Sequence, residues 1–347
     1  MLRLIRLLHS NGLISFRRRA RSFVGAFAVH KKGGEWQRLV IDARVPNSLH
    51  RRAPYAPLAT ACAISNLDLS DFALGADATS CDPHGSSIDF RDGFYQFRFE
   101  AVCSWFAFDL RVPASDFSLS RIFNDDTGCC EDIDGDALVW PCFCGLPMGW
   151  SWALYLCHSA LTSAMLEAAV RFGGLSSHDE AAEQIVRDRA PAPLLRRGRP
   201  LLAPYVDNGN AIAWDKEESI RFHHCLVDVL TERRFVLKDL FEADPRLDMV
   251  GVVFDGPRRR WTPRLSRFWA LRRAVNQIIV MGAVSGEVLR IVVGHLVNFF
   301  LLDRAALAIL QDVYPFMRKA MGTWCPPHRQ GPERAPDVCG RHDAHRS

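Results

Sequence analysis

Two aspartates stand at the ends of apolar segments where the chain turns. Asp89 lies in Ser87-Ile88-Asp89-Phe90-Arg91-Asp92-Gly93-Phe94-Tyr95-Gln96, and Asp207 in Ala203-Pro204-Tyr205-Val206-Asp207-Asn208. Carboxylates at the ends of adjacent strands are the oxygen donors that a hard cation such as Mg²⁺ prefers. Two such ions about 3.5–4 Å apart suit nucleotidyl transfer, one activating the attacking hydroxyl and the other bearing the phosphates. Taken singly, each aspartate reads more simply as a turn former. A rival to Asp89 is Asp71, in Asn66-Leu67-Asp68-Leu69-Ser70-Asp71-Phe72, but it lacks the aromatic pair and Gln96 that follow Asp89 directly.

Carboxylates converge only if a framework holds them. Phe27–Val29 and Arg38–Ile41 read as two strands around Lys32-Gly33-Gly34, after a basic amphipathic helix and loop over residues 1–26. Ile88–Phe99 reads as a strand kinked near Asp92-Gly93. Apolar residues at helical spacing from Ser151 to Phe172, closed by Gly173-Gly174, predict a buried helix. Leu201–Ala213 reads as two strands around Asp207-Asn208-Gly209-Asn210, because Asn-Gly between apolar runs is a hairpin signal. A helix over Glu217–Phe235, a strand over Met249–Phe254 and helices over Leu265–Val280 and Ser285–Met317 follow. Residues 111–138 read as a polar surface excursion and 174–200 as a long loop. The order contains the β-α-β-β-α-β alternation of a ferredoxin-like sheet.

Composition is compatible with packed domains, since 48% of the 347 residues are hydrophobic. The net charge of +4 is uneven: the first 34 residues contain no Asp or Glu, whereas residues 116–136 are acidic. That asymmetry suggests a polyanionic partner. The 11 cysteines form no CxxC pair, which fits reduced thiols inside a cell, in cytoplasm or nucleus. The Arg-rich start would also suit an organelle transit peptide. The most apolar run, around Ile291–Leu302, is interrupted by Gly294, His295 and Asn298, so a soluble, non-membrane protein is expected.

Several blocks in order resemble the reverse transcriptases of retroelements. The run from Phe27 through Lys31, Lys32, Gly33 and Arg38 to Asn47 resembles the family's fingers hairpin, and Ile88–Gln96 the strand with the first catalytic aspartate. Gly145-Leu146-Pro147-Met148-Gly149-Trp150 resembles the turn opening the next helix, and Tyr205-Val206-Asp207-Asn208 stands where the family has Tyr-x-Asp-Asp. Met249–Phe254 and Val284–Val297 are similar to the strand and thumb helix that follow. The resemblance implies an α+β right-hand polymerase fold: fingers at 27–87, a palm at 88–255 with an excursion near 111–145, a thumb-like region at 256–320, and flanks at 1–26 and 321–347, the latter disordered. It implies template-directed nucleotidyl transfer to a DNA primer, with RNA or DNA template, deoxynucleoside triphosphates and two Mg²⁺ or Mn²⁺ ions. Metal binding falls to Asp89 and Asp207, catalysis to these with Asn208 and Lys238, and nucleotide binding to Lys31, Arg38, Phe94, Met148 and Gly149. Phe94 would be the steric gate against a 2′-hydroxyl, and Lys238 would protonate or screen the leaving pyrophosphate.

One departure matters. Asn208 replaces the family's second carboxylate in the turn, which removes a negative charge from a site meant for four positive ones. The alternative is therefore an inactive retroelement-derived remnant that binds nucleic acid through basic runs such as Arg196-Arg197 with Arg199 and Arg258-Arg259-Arg260. A third reading is a zinc module in the tail, from Cys325, His328, Cys339 and His342.

Overall fold

In the computed structural model, residues 1–30, 37–319 and 324–325 are described. Ser151–Phe172 is helical throughout and stops at Gly173, whose φ of +96° is the left-handed cap that glycine takes without strain. Its buried residues include Ala153, Cys157, Leu161, Ala164, Met165 and Ala168, small or slender side chains at helical spacing that let it lie close against a sheet. By length and composition this helix is apolar enough to cross a membrane; part of that apolar surface is core here.

The alternation expected from the sequence closes as β1 (His84–Phe90), α1 (Ser151–Phe172), β2 (Leu201–Tyr205), β3 (Asn208–Ala213), α2 (Lys216–Glu232) and β4 (Leu237–Asp244). The strands form one antiparallel sheet in the order β2-β3-β1-β4, which is the ferredoxin-like arrangement. Asp215 caps α2 by accepting the Glu218 amide at 2.9 Å. Ile88 and Phe90, 0% and 1% exposed, point into the core, and Asp89 between them faces the other way.

A second, mixed sheet of six strands contains the hairpin Phe23–His30 with Gln37–Asp42, in register from Gly25 opposite Asp42 to His30 opposite Gln37. The expected turn at 32–34 lies outside the described residues. Three expectations are corrected by pairing. Residues 11–26 are not simply a loop: Ile14–Arg17 is a strand paired with Leu138–Phe143. The excursion contains its own hairpin, Arg121–Asn124 with Cys129–Asp132. Met249–Phe254 is not one strand, because Val250 and Gly251 take φ of +53° and +84° and fold it into a meander of Asp248–Met249, Val252–Asp255 and Arg260–Pro263.

The basic start and the acidic excursion, read as pointing to an external polyanion, meet each other. Arg17 is 1% exposed and donates to Asp125 Oδ1 at 3.1 Å, Ser15 Oγ at 2.6 Å and the Glu100 carbonyl at 2.9 Å. Arg18 pairs with Glu131, and Arg19 with Asp126 at 3.1 Å.

Two compact units divide after Arg264. In the second, Leu265–Met281 and Gly286–Phe300 are helices, the latter capped by Ser285. The single helix expected over Ser285–Met317 is interrupted after Phe300, where Asp303 caps a 3₁₀ turn at Arg304–Leu310 and Val313–Lys319 restarts. Of the tail only Trp324–Cys325 is described, so the zinc reading and the expected disorder fall outside the described residues.

Candidate active site

The sheet register builds the site. Residues directly opposite one another on antiparallel strands project from the same face. Tyr205 opposes Asn208, Asn208 opposes Asp89, and Asp89 opposes Lys238, so one row of side chains crosses all four strands. Asp207 sits beside this row in the two-residue turn between β2 and β3, and its carbonyl accepts the Phe90 amide at 3.1 Å.

That turn is Val206-Asp207, not the Asn208-Gly209 pair that sequence favoured. Val206 takes φ of +60°, a costly conformation for a β-branched residue, held here by the Cys157 thiol donating to its carbonyl at 3.6 Å from α1 below. Burial pushes the Cys157 thiol up to about 12, so it stays a neutral donor. Gly209 serves packing: a Cβ there would lie 3.0 Å from Ile88 and 3.3 Å from Leu161.

Lys238 Nζ lies 3.0 Å from Asp89 Oδ2, and this bond raises the lysine pKa. Asp89 nevertheless has its pKa raised: burial disfavours its charge more than Lys238 favours it, and the charge of Asp207 adds to the effect. Asp89 Oδ1 is buried and has no hydrogen-bond partner in the described structure. Asn208 Nδ2 donates to Asp207 Oδ1 at 3.2 Å. An unpartnered buried carboxylate oxygen beside a second carboxylate fits a hard divalent cation. Among the described residues, however, no group of three or more His, Cys, Asp or Glu side chains could hold a metal.

Asp71, the rival aspartate, is elsewhere in kind: it begins a short helix, Asp71–Leu74, and pairs with Arg259 at 2.5 Å. Of the nucleotide-binding candidates, Lys31 lies outside the described residues. Arg38 is exposed on the hairpin strand Gln37–Asp42. Phe94 and Met148 are half-buried and Gly149 is exposed. Backbone and side-chain bonds tie their segments together. The Phe94 carbonyl accepts the Leu146 amide at 3.1 Å, and the Tyr95 hydroxyl donates to the Leu39 carbonyl at 2.5 Å. Burial pushes that hydroxyl up to about 12, so it remains protonated.

Two amides brace these segments: Asn47, given no role from the sequence, and Gln96, which the sequence used only to tell Asp89 from Asp71. Asn47 donates to the Gly149 carbonyl and accepts the Ser151 amide, both at 2.8 Å. Gln96 clasps Val236, accepting its amide at 2.7 Å and donating to its carbonyl at 2.9 Å, which joins the turn after β1 to the start of β4. Both residues belong to the quoted motifs, but as amides rather than charges neither pointed to a bracing role. The basic runs are largely spoken for. Arg196 donates to the Ala73 carbonyl at 2.6 Å, Arg199 pairs with Glu180, Arg258 pairs with Asp255 at 3.1 Å, and Arg259 donates to the Ala78 and Cys81 carbonyls at 2.5 and 2.7 Å.

No family model and no curated protein matches the sequence. Solved structures do. The foamy viral protease-reverse transcriptase in complex with dsDNA is similar at a TM-score of 0.54 and 13% identity, covering 94% of this chain and 52% of that one. The foamy viral protease-reverse transcriptase dRH in complex with ds DNA gives 0.51 and 13%, covering 91% and 42%. The chain thus spans about half the length of these structures or less, and at this identity the likeness is one of fold: mixed α+β and similar to a reverse transcriptase.

Proposed function

We propose that this chain is a reverse-transcriptase-like domain that extends a DNA primer on an RNA or DNA template with deoxynucleoside triphosphates, using Mg²⁺ or Mn²⁺. The row Asn208–Asp89–Lys238 with Asp207 beside it carries the reading, because it gathers oxygen donors and one cation at a single end of the sheet. The two similar structures, both with double-stranded DNA, support it. A divalent ion, when bound, would supply charge against the triphosphate and favour ionisation of the primer hydroxyl.

The chain's own residues do the rest. Asp89 and Asp207 offer carboxylate oxygens, and Lys238 screens or protonates the leaving pyrophosphate. Arg38, with Lys31, binds triphosphate oxygens through its guanidinium fork. Phe94, with Met148 and Gly149 behind the nucleotide, blocks a 2′-hydroxyl; Phe94→Val is expected to raise the ratio of ribonucleotide to deoxynucleotide incorporation, and an unchanged ratio would remove that role.

Asn208 and the neutralising Lys238 favour one other reading, a silent domain that binds nucleic acid. Extension of a labelled DNA primer with Mg²⁺ or Mn²⁺ separates them. Extension that vanishes in Asp89→Ala supports the polymerase. Extension only after Asn208→Asp means that this single amide silences the site, and none in any form, with salt-sensitive duplex binding retained, favours the silent domain.

A further inference from the structure

Four of the five residues 17–21 are arginines, and they do not share one role. Arg17 is structural. Besides its hydrogen bonds to Asp125, Ser15 and the Glu100 carbonyl, its guanidinium lies 4.9 Å from the centre of the Phe123 ring and 3.9 Å from the Glu100 carboxylate. With Ile122, 4% exposed, it fixes the hairpin of Arg121–Asn124 and Cys129–Asp132 against the strand Ile14–Arg17.

The outer arginines are held differently. Arg18 pairs with Glu131, which also accepts Asn124 Nδ2 at 3.0 Å, and donates to the Asp132 carbonyl at 3.2 Å. Arg19 pairs with Asp126 at 3.1 Å. The Arg21 guanidinium lies 5.6 Å from the centre of the Trp105 ring and has no acidic partner among the described residues. The side chains of Arg18 and Arg19 are 46% and 85% exposed, and those of Glu131 and Asp126 35% and 60%. Ion pairs this open to water are weak and exchange readily with another anion. The hairpin's other acids are engaged elsewhere, Asp125 in the buried pair and Asp132 with Arg121 at 3.5 Å. Three outer guanidiniums therefore face two exchangeable carboxylates across a groove of about 310 Å³, lined by residues 17–21 and 123–126. An anion with several phosphates in a row can satisfy all three, which the hairpin does not, and each guanidinium fork matches phosphate oxygens.

We propose that Arg18, Arg19 and Arg21 form a docking surface for the phosphate backbone of a nucleic-acid duplex, and that Asp126 and Glu131 are built-in competitors which the phosphates displace. The buried Arg17–Asp125 pair keeps the hairpin in place while its outer pairs open. The identity of the polyanion rests on the proposed function; the masking of the arginines rests on the ion pairs alone.

Binding of a labelled DNA duplex to the full chain, followed by fluorescence anisotropy over a salt series, tests this. Each acid set free by a phosphate takes up a cation in place of the one that phosphate releases, so the competitors flatten the salt dependence. Asp126→Asn combined with Glu131→Gln is expected to tighten binding about tenfold at about 0.1 M salt and to steepen the slope of log affinity against log salt by about 1.8, about 0.9 for each guanidinium unmasked. Adding Arg18→Met and Arg19→Met should erase the gain. Asp179→Asn with Glu217→Gln removes the same charge from two exposed positions outside the groove and should leave the slope unchanged. No gain, an equal gain in that control, a gain that survives loss of both arginines, or no duplex binding in any form would each overturn the proposal. So would polyglutamate competing as well as a duplex of equal charge, which would assign the surface to an acidic protein. Asp126→Asn alone should give about half the change in slope, and decides if the double variant is not folded by circular dichroism. Because no transfer is measured, a chain that binds as expected yet extends no primer removes the polymerase reading and leaves this surface standing.

Discussion

Two glycines show how tightly the site's backbone is specified. A Cβ at Gly93 would lie 2.9 Å from Phe90 Cβ and 3.1 Å from Asp207 Cβ, so Gly93→Ala must displace the aspartate it leans on. Mn²⁺ affinity is expected to fall about tenfold, equivalent to about 1.4 kcal/mol, and an unchanged titration would mean that the turn yields elsewhere. Gly149 combines φ of +115° with a Cβ position 2.8 Å from the Ile41 carbonyl. Gly149→Ala therefore adds backbone strain and a clash, and about 1–3 kcal/mol of lost stability is expected in urea unfolding. The sequence flagged both positions through their motifs. It misplaced the purpose of Gly209, since a glycine required by helix packing and one required by a turn look identical without the register.

At the scale of elements, what could be read locally was read well and what depended on distant partners was not. Ser151–Phe172 and its glycine stop follow from periodicity and one cap, and the β-α-β-β-α-β order follows from successive local patterns. The strand Ile14–Arg17 does not, because its partner lies beyond residue 120 and its arginine looks like any exposed cation. Burial changes what that arginine is worth. Asp125 is 15% exposed at its side chain, and removing Arg17 leaves it facing the core without its guanidinium. Arg17→Met should cost about 3–5 kcal/mol, and Arg17→Met with Asp125→Leu should recover much of it. A double-mutant cycle by urea unfolding measures the coupling, and additive losses would show that the two side chains act independently.

Buried histidines on both sheet-covering helices set an acid limit for the same elements. His158 on α1 and His223 on α2 are 4% and 2% exposed, and burial lowers the pKa of each. The neutral ring is favoured when folded, so the unfolded chain binds protons first. Their contribution is present above the ordinary histidine pKa of about 6.5 and is lost as pH falls through it toward the lowered folded values. Two such groups give a slope of up to about 2.7 kcal/mol per pH unit, and His223→Leu should remove about half. Urea midpoints from pH 7 to 5 would test this, a parallel decline in the variant being the contrary result.

On the scale of the whole molecule, the residues of the site all belong to the first compact unit, Met1–Arg264. Asp89, Asp207, Asn208 and Lys238, the bracing Asn47, Gln96 and Cys157, and every hydrogen bond among them fall within Met1–Arg264. Arg264 itself is anchored in that unit by Asp248. What sets metal affinity is local charge and donor geometry, which act over a few ångströms, whereas holding a long duplex draws on contacts and charge spread over many. A chain of residues 1–264 is therefore expected to unfold cooperatively and bind Mn²⁺ with the affinity of the full chain, while its affinity for a primer–template falls. Circular dichroism, Mn²⁺ titration and duplex binding on the two forms together check the separation. A shortened chain that folds but loses Mn²⁺ binding would overturn that expectation.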